Sequence, residues 1–222
     1  MELNEVMRTT FACREYTGET IPDEILYTIL DDARFAPSGG NRQGNRVIIV
    51  KEAGTRQALA KLAEPAAKQY LAQLNIGENP WNSVTPSKVT QAQIDAVEVP
   101  ARFTEPYLKA AVVLVFLVDL KVVASMDQHL DRIGVISGAS IYPFVWNVLL
   151  GARNAGFGGT ITTLAAAKEP DIQNLLNIPK HYAVCAVVPL GKPVKQLCRL
   201  KRKAVEEIAA LERFNGKPFF PG

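Results

Sequence analysis

Three separated segments carry residue types that could grip an anionic, planar ligand. Arg8–Tyr16 (RTTFACREY) offers two arginines around a polar turn. Ala36–Gln43 (APSGGNRQ) combines glycines with amide side chains, and Gly156–Thr163 (GFGGTITT) joins glycines to hydroxyls. A basic run, Arg199–Lys203 (RLKRK), follows near the C-terminal end. Arginine pairs with phosphate oxygens in a fixed fork, glycine lets the main chain approach a flat ring, and an amide side chain can bond to ring edges. Taken together the segments suit an anionic planar cofactor. Taken singly, each reads more readily as a turn or a surface charge run.

Other chemistries find less support. The two histidines, His129 and His181, are far apart. His129 between Asp127 and Asp131 invites a metal reading, but polar residues at that spacing also form a solvated face, and no second cluster accompanies them. There is no GxSxG nucleophile motif and no phosphate-binding P-loop. Gly156-Phe-Gly-Gly lacks GxGxxG spacing and follows no strand, which argues against a dinucleotide fold of that type. Cys13, Cys185 and Cys198 form no CxxC pair and read as free, inert thiols in a reducing compartment.

The elements that must position these residues come from a chain of 222 residues, 48% apolar and 21% charged. At about 150 residues per domain this is one large domain or two small ones, and the composition excludes a disordered tail, a collagen and a coiled coil. A net charge of +3 is too small to argue for nucleic acid. The opening MELNEVMRTT has no apolar core, and the longest apolar run, Ala110–Val118, falls far short of the roughly 20 residues that span a bilayer. The expectation is a cytoplasmic protein with no membrane partner.

Helices are expected over Leu3–Phe11, from Pro22 to Ala33, and over Thr55–Leu74. The second opens with proline and two acids and carries Ile25, Leu26, Ile29 and Leu30 on one stripe. Gly134–Ala155 reads as a buried helix with a kink or a late start at Pro143. A short helix is expected over Glu169–Leu176, and strands at Arg46–Lys51, Ala110–Asp119 and Ala183–Leu190. Residues 77–106, with four prolines and the aromatic residues Trp81 and Phe103, read as a long loop or lid, and Tyr107 follows directly. The C-terminal segment is ambiguous. Val205, Ile208 and Ala209 have helical spacing, whereas the basic run and Pro218–Pro221 suit an arm packed on a neighbour. Strands alternating with helices give an α+β sandwich around one sheet, and three strong strands are few enough that a partner subunit is expected to complete the core.

The ordered motifs resemble the FMN-dependent nitroreductase family from about Glu5 to Arg213. They are the Arg14-Glu-Tyr16 turn, Ile21-Pro-Asp-Glu opening a helix, and Pro37-Ser-x-x-Asn41-x-Gln43 before a strand. Gly156-Phe-Gly-Gly then follows a long apolar helix, and Leu175-Leu-Asn-Ile-Pro179 and Leu190-Gly-Lys-Pro193 close the pattern. The resemblance implies a nitroreductase-like fold, a central mixed sheet flanked by helices in an intertwined homodimer. One domain would then cover residues 1–222, with a lid at about 77–106 and an arm from about 199.

The resemblance also implies a site. Thr10, Phe11, Ala12 and Arg14 would form the N-terminal flavin-binding turn. Pro37, Ser38, Gly39 and Asn41 would reach the same FMN from the other subunit. Ile161, Thr162 and Thr163 would line the ring, with a main-chain N–H near its N5. Arg202, with Arg199 or Lys201, would hold the phosphate. No protein side chain is expected to be catalytic, because the flavin carries the chemistry. NADPH or NADH would donate a hydride and a nitro compound, quinone or similar small molecule would accept it, in ping-pong order. A flavin-binding protein of little turnover, a reductive dehalogenase and a flavin-consuming enzyme are the alternatives. Two departures stand out. Thr10-Phe11-Ala12 replaces a common Arg-Arg-Ser, and Gly44-Asn45 replaces a common Pro-Trp.

Overall fold

The computed structural model describes residues 1–220. Helices α1 (Leu3–Thr9) and α2 (Asp23–Ala33) lead to strand β1 (Asn45–Val50) and the long α3 (Ala53–Asn75). Short helices α4 (Gln91–Asp95) and α5 (Glu105–Lys109) precede β2 (Val112–Asp119). Then come α6 (Tyr142–Asn154), β3 (Gly158–Gly159), α7 (Glu169–Leu175) and β4 (Tyr182–Gly191). The sheet runs β1-β2-β4-β3 with antiparallel neighbours. A single parallel bridge, Ala12 to Gly159, makes it mixed at the β3 edge.

Alternate residues of β2 serve two cores, because successive side chains leave a strand on opposite faces. Val112, Leu114 and Phe116 join Ala186, Val188 and Leu190 of β4 against Leu26 and Ile29 of α2 and Val145, Val148 and Leu149 of α6. Val113, Val115 and Leu117 face the other way, onto Leu59, Ala60 and Ala63 of α3, Tyr107 of α5 and Ile172 of α7. Helices on both faces explain why β2 is one unbroken apolar run.

Several expectations shift. The apolar segment from Gly134 is helical only from Tyr142, with Pro143 in the first turn where its missing N–H costs nothing, and a 3₁₀ turn covers Ile136–Ser140. The fourth strand escaped notice because it is two glycines. Residues 77–106 hold α4, capped by Thr90 and Gln93, and a 3₁₀ turn at Ala101–Phe103. Their first third is tied by Glu78, whose carboxylate accepts from Ser87 Oγ and the Lys88 N–H, both at 2.6 Å. Helical spacing near Val205 yields one 3₁₀ turn, Val205–Glu207, in an otherwise irregular and mostly exposed segment. Pro221 and Gly222, the end of the expected arm, lie outside the described residues.

Asp127 is not part of a solvated face. It is 3% exposed and accepts from Arg132 at 2.6 Å and from the main-chain N–H groups of Val135 and Ile136. These bonds hold its carboxyl at about 2, and the residue latches the loop after β2. Among the described residues no three His, Cys, Asp or Glu side chains gather as metal ligands.

Candidate functional site

The first and third sequence clusters meet. The Cys13 N–H donates to Gly159 O at 3.0 Å, which sets Ala12 beside Gly159. Tyr16 fastens the turn from its far side, with its hydroxyl 2.7 Å from Cys13 O and 2.9 Å from Pro189 O. Burial pushes the Tyr16 phenol well above its usual range, so it remains a donor. Gly158 permits this approach, since a Cβ there would stand 3.1 Å from Cys13 Cβ, and Gly159 permits the close seating on β4, since a Cβ there would stand 2.8 Å from Pro189 O. Phe11 packs with Cys13, Tyr16 and Ala110, and Thr10 Oγ1 donates to Val6 O at 2.7 Å. Two of the three positions that depart from Arg-Arg-Ser are therefore taken up by packing and by helix capping. The third, Ala12, is exposed beside the bridge.

Beyond the bridge, the chain crosses the sheet edge. Thr162 exchanges both main-chain bonds with Val187, at 3.0 and 2.8 Å. A residue paired in this way turns its N–H and C=O toward the neighbouring strand, so the N–H groups of Ile161 and Thr163 point away from β4. Ile161, Thr162 and Thr163 line a cavity of about 230 Å³ together with Arg14. Its other wall is Tyr70 of α3 with Arg102, Phe103 and Tyr107. No acidic residue lines it.

Tyr107 stands out in this wall. Its hydroxyl is buried and has no hydrogen-bond partner. Burial pushes its phenol up to about 12, and the Thr162 side chain lies close enough to ease that rise without meeting hydrogen-bond geometry. A buried donor without an acceptor costs about 1–3 kcal/mol. An acceptor brought by a ligand would remove that cost.

The second cluster is elsewhere. Ser38 Oγ accepts from the Gln43 N–H, the Gly39 N–H donates to Ser140 Oγ at 2.9 Å, and Asn45 Nδ2 donates to Ser140 O at 3.1 Å. Asn41 is left-handed (φ 51°) and exposed. Gly44, the last residue before β1, has little room for a larger residue, since a Cβ would lie 2.7 Å from Val122 Cγ2. The departure at Gly44-Asn45 is thus built into the packing of the loop. This loop enters β1 opposite Val118, whereas the cavity lies beside Val187–Pro189 of β4, which pair with Val115–Val113 of β2. None of Pro37, Ser38, Gly39 and Asn41 is among the residues that line the cavity.

Arg202 is not in the cavity wall. It is exposed and donates to Lys201 O at 2.7 Å. Upstream of it, Gln196 Nε2 donates to Thr9 O at 2.9 Å, which ties the basic segment to the end of α1. Of the expected lid aromatics, Phe103 and Tyr107 line the cavity and Trp81 does not. Tyr70 and Arg102 were missed. No motif marks them, and only Pro100 and Pro106, bracketing Arg102-Phe103, signal an ordered turn there. The Cys13 and Cys185 thiols are pushed up by burial, the latter to about 12, which fits inert residues.

Relatives support the picture. The chain is 23% identical over 209 residues to an iodotyrosine dehalogenase 1 homolog from Caenorhabditis elegans, covering 93% of this chain and 60% of that protein. It is 28% identical over 187 residues to an NADH dehydrogenase from Thermus thermophilus, covering 82% of each. Among solved structures, an oxidised iodotyrosine deiodinase bound to FMN and 3-iodo-L-tyrosine matches with a TM-score of 0.67 at 18% identity, over 96% of this chain and 99% of that one. An NADPH:FMN oxidoreductase from Vibrio harveyi complexed with NAD+ matches at 0.68 and 19% identity, over 96% and 78%. A family model described as the nitroreductase family covers residues 7–192. With its motifs, its fold and this match in agreement, the chain belongs to the nitroreductase family.

Proposed function

We propose that this protein binds FMN between the Arg8–Tyr16 turn and the Thr160–Leu164 segment, and uses it to carry reducing equivalents from NADH or NADPH to small electron-poor molecules such as nitro compounds and quinones. The observation that carries this reading is the meeting of two sequence clusters at the Ala12–Gly159 bridge, beside a cavity holding a buried, unpartnered donor. The donor set fits the cofactor. FMN presents ring carbonyls, N1, N5 and a phosphate as acceptors or anions beside its N3–H and ribityl hydroxyls, and the wall offers Arg14, threonine hydroxyls and Tyr107 Oη with no carboxylate among the described residues. At about 230 Å³ the cavity is smaller than the roughly 300–1,000 Å³ of complete small-molecule sites. A second copy of the chain, presenting Pro37, Ser38, Gly39 and Asn41, would complete it as a homodimer.

When bound, FMN supplies two-electron transfer between a reduced nicotinamide and the next occupant of the same face. The chain's residues bind and orient. Arg14 sets positive charge where the reduced ring gathers negative charge. The outward N–H groups of Ile161 and Thr163 are free to bond a ring edge. Tyr107, held protonated by burial, would donate a hydrogen bond to an acceptor of the ring. Arg202, with Arg199 or Lys201, would hold the phosphate, and Gln196 ties the segment that carries them to Thr9. Reductive dehalogenation is the second reading, favoured by deiodinase relatives that span most of this chain.

The test is an FMN titration of wild type and Arg14→Ala, followed by flavin absorbance. Saturable binding, weakened about tenfold or more in the variant, is expected for a charge-assisted contact. Absence of any FMN binding by wild type would overturn the reading.

A further inference from the structure

The cavity carries two cations, Arg14 and Arg102, and only Arg14 belongs to the turn that faces the proposed flavin. Arg102 comes from the opposite wall, in the Ala101–Phe103 turn. Its guanidinium lies 5.2 Å from the centre of the Phe103 ring. Among the described residues it makes no ion pair. Glu105, the nearest acid along the chain on that wall's helix, is taken by Lys109 at 3.1 Å. Phe103 in turn meets Tyr70 edge-on, ring centres 6.0 Å apart at 61°.

We infer that this wall is a substrate subsite for a small aromatic anion, its ring seated against Tyr70 and Phe103 and its carboxylate or phenolate met by Arg102. The inference rests on the flavin reading and deepens it by naming the substrate class. Three features point the same way. An aromatic pair offers a flat, apolar seat that prefers edge or offset contact with another ring. A guanidinium propped on a ring face keeps its outer edge free for a planar, bidentate acceptor. A cavity wall without carboxylates leaves that charge without an internal counterion, so an anionic guest is favoured and an equally shaped cation is disfavoured.

The experiment compares 4-nitrobenzoate with 4-nitrobenzamide, which match in shape and differ in charge. Both are titrated calorimetrically into FMN-loaded wild type, Arg102→Gln and Arg14→Gln. FMN loading is read first from flavin absorbance, so failure of the flavin reading is seen separately from failure of this one. The nitrobenzoate should bind roughly tenfold more tightly than the amide in wild type, as a charge-assisted contact gives. Rising ionic strength should narrow that ratio, because the guanidinium is exposed. In Arg102→Gln the ratio should collapse to near one while the amide's affinity holds. Equal affinities in wild type would overturn the proposal. So would an anion preference that survives Arg102→Gln and disappears in Arg14→Gln, or an Arg102→Gln variant that loses both ligands alike.

Discussion

Gly159→Ala tests the junction on which the site depends. The added methyl would stand 2.8 Å from Pro189 O, 3.0 Å from Leu149 Cδ2 and 3.1 Å from Leu190 Cδ1. The two leucine tips can turn aside. The carbonyl cannot, because Pro189 lies in β4 paired with Val113, and its oxygen also faces the Tyr16 hydroxyl at 2.9 Å. Relief must come from moving β3 off β4, which carries the Ala12 bridge and the Thr160–Thr163 wall with it. Overpacking of this kind costs about 1–3 kcal/mol, and contact with a fixed backbone atom puts this case at about 2–3. At roughly 2–4 °C per kcal/mol for a chain of this length, Tm should fall by about 4–12 °C. Thermal melts followed by circular dichroism, with and without FMN, would read both the loss and the weakened protection by the cofactor. Gly54→Ala, in the first turn of α3 with nothing within 4 Å, is the control and should not lose stability. A Gly159→Ala protein with wild-type Tm and undiminished FMN protection would refute the reasoning.

Further outcomes follow from single groups. Tyr107→Phe removes an unpartnered buried hydroxyl, so the ligand-free protein should gain about 1 kcal/mol in thermal or urea unfolding while FMN affinity falls severalfold. Tyr16→Phe deletes the hydroxyl between Cys13 O and Pro189 O and should cost about 1–2 kcal/mol in the same assay. Asp127 is held at about 2, below its ordinary value of about 3.9, so its stabilising contribution is full above that ordinary value and fades as pH falls toward 2. Asp127→Asn should therefore lower Tm at neutral pH, and the difference from wild type should shrink on acidification across that window.

Much of the frame was legible because periodicity and residue type agreed with burial. The stripe Leu26, Ile29 and Ala33 is the buried face of α2, and the run from Val112 to Val118 is the fully buried strand. The turn at Arg14-Glu-Tyr16 was legible as a motif, but not the reason for its tyrosine, whose hydroxyl reaches a strand 173 residues away. Long-range pairings leave no local trace, and β3 is two glycines whose strand character comes from Leu190 and Gly191 on one side and Ala12 on the other. Of the kink and the late start expected at Pro143 the structure takes the late start, because proline allows a helix to begin at Tyr142 but not to continue through it. Asp127 looked solvated because its partners, the N–H groups of Val135 and Ile136, come from a loop closure that spacing does not encode. The cavity's outer wall, Tyr70 with Arg102 and Phe103, is assembled from elements about 30 residues apart and could be found only in three dimensions.

The central claim is that FMN sits in this cavity and is reduced there by a nicotinamide. The most direct measurement is an anaerobic absorbance series on FMN-loaded protein, first with NADPH or NADH and then with a nitro compound or quinone. The account predicts bleaching of the flavin by at least one nucleotide, and recovery of its absorbance when the acceptor is added. Bound FMN that neither nucleotide bleaches would contradict it.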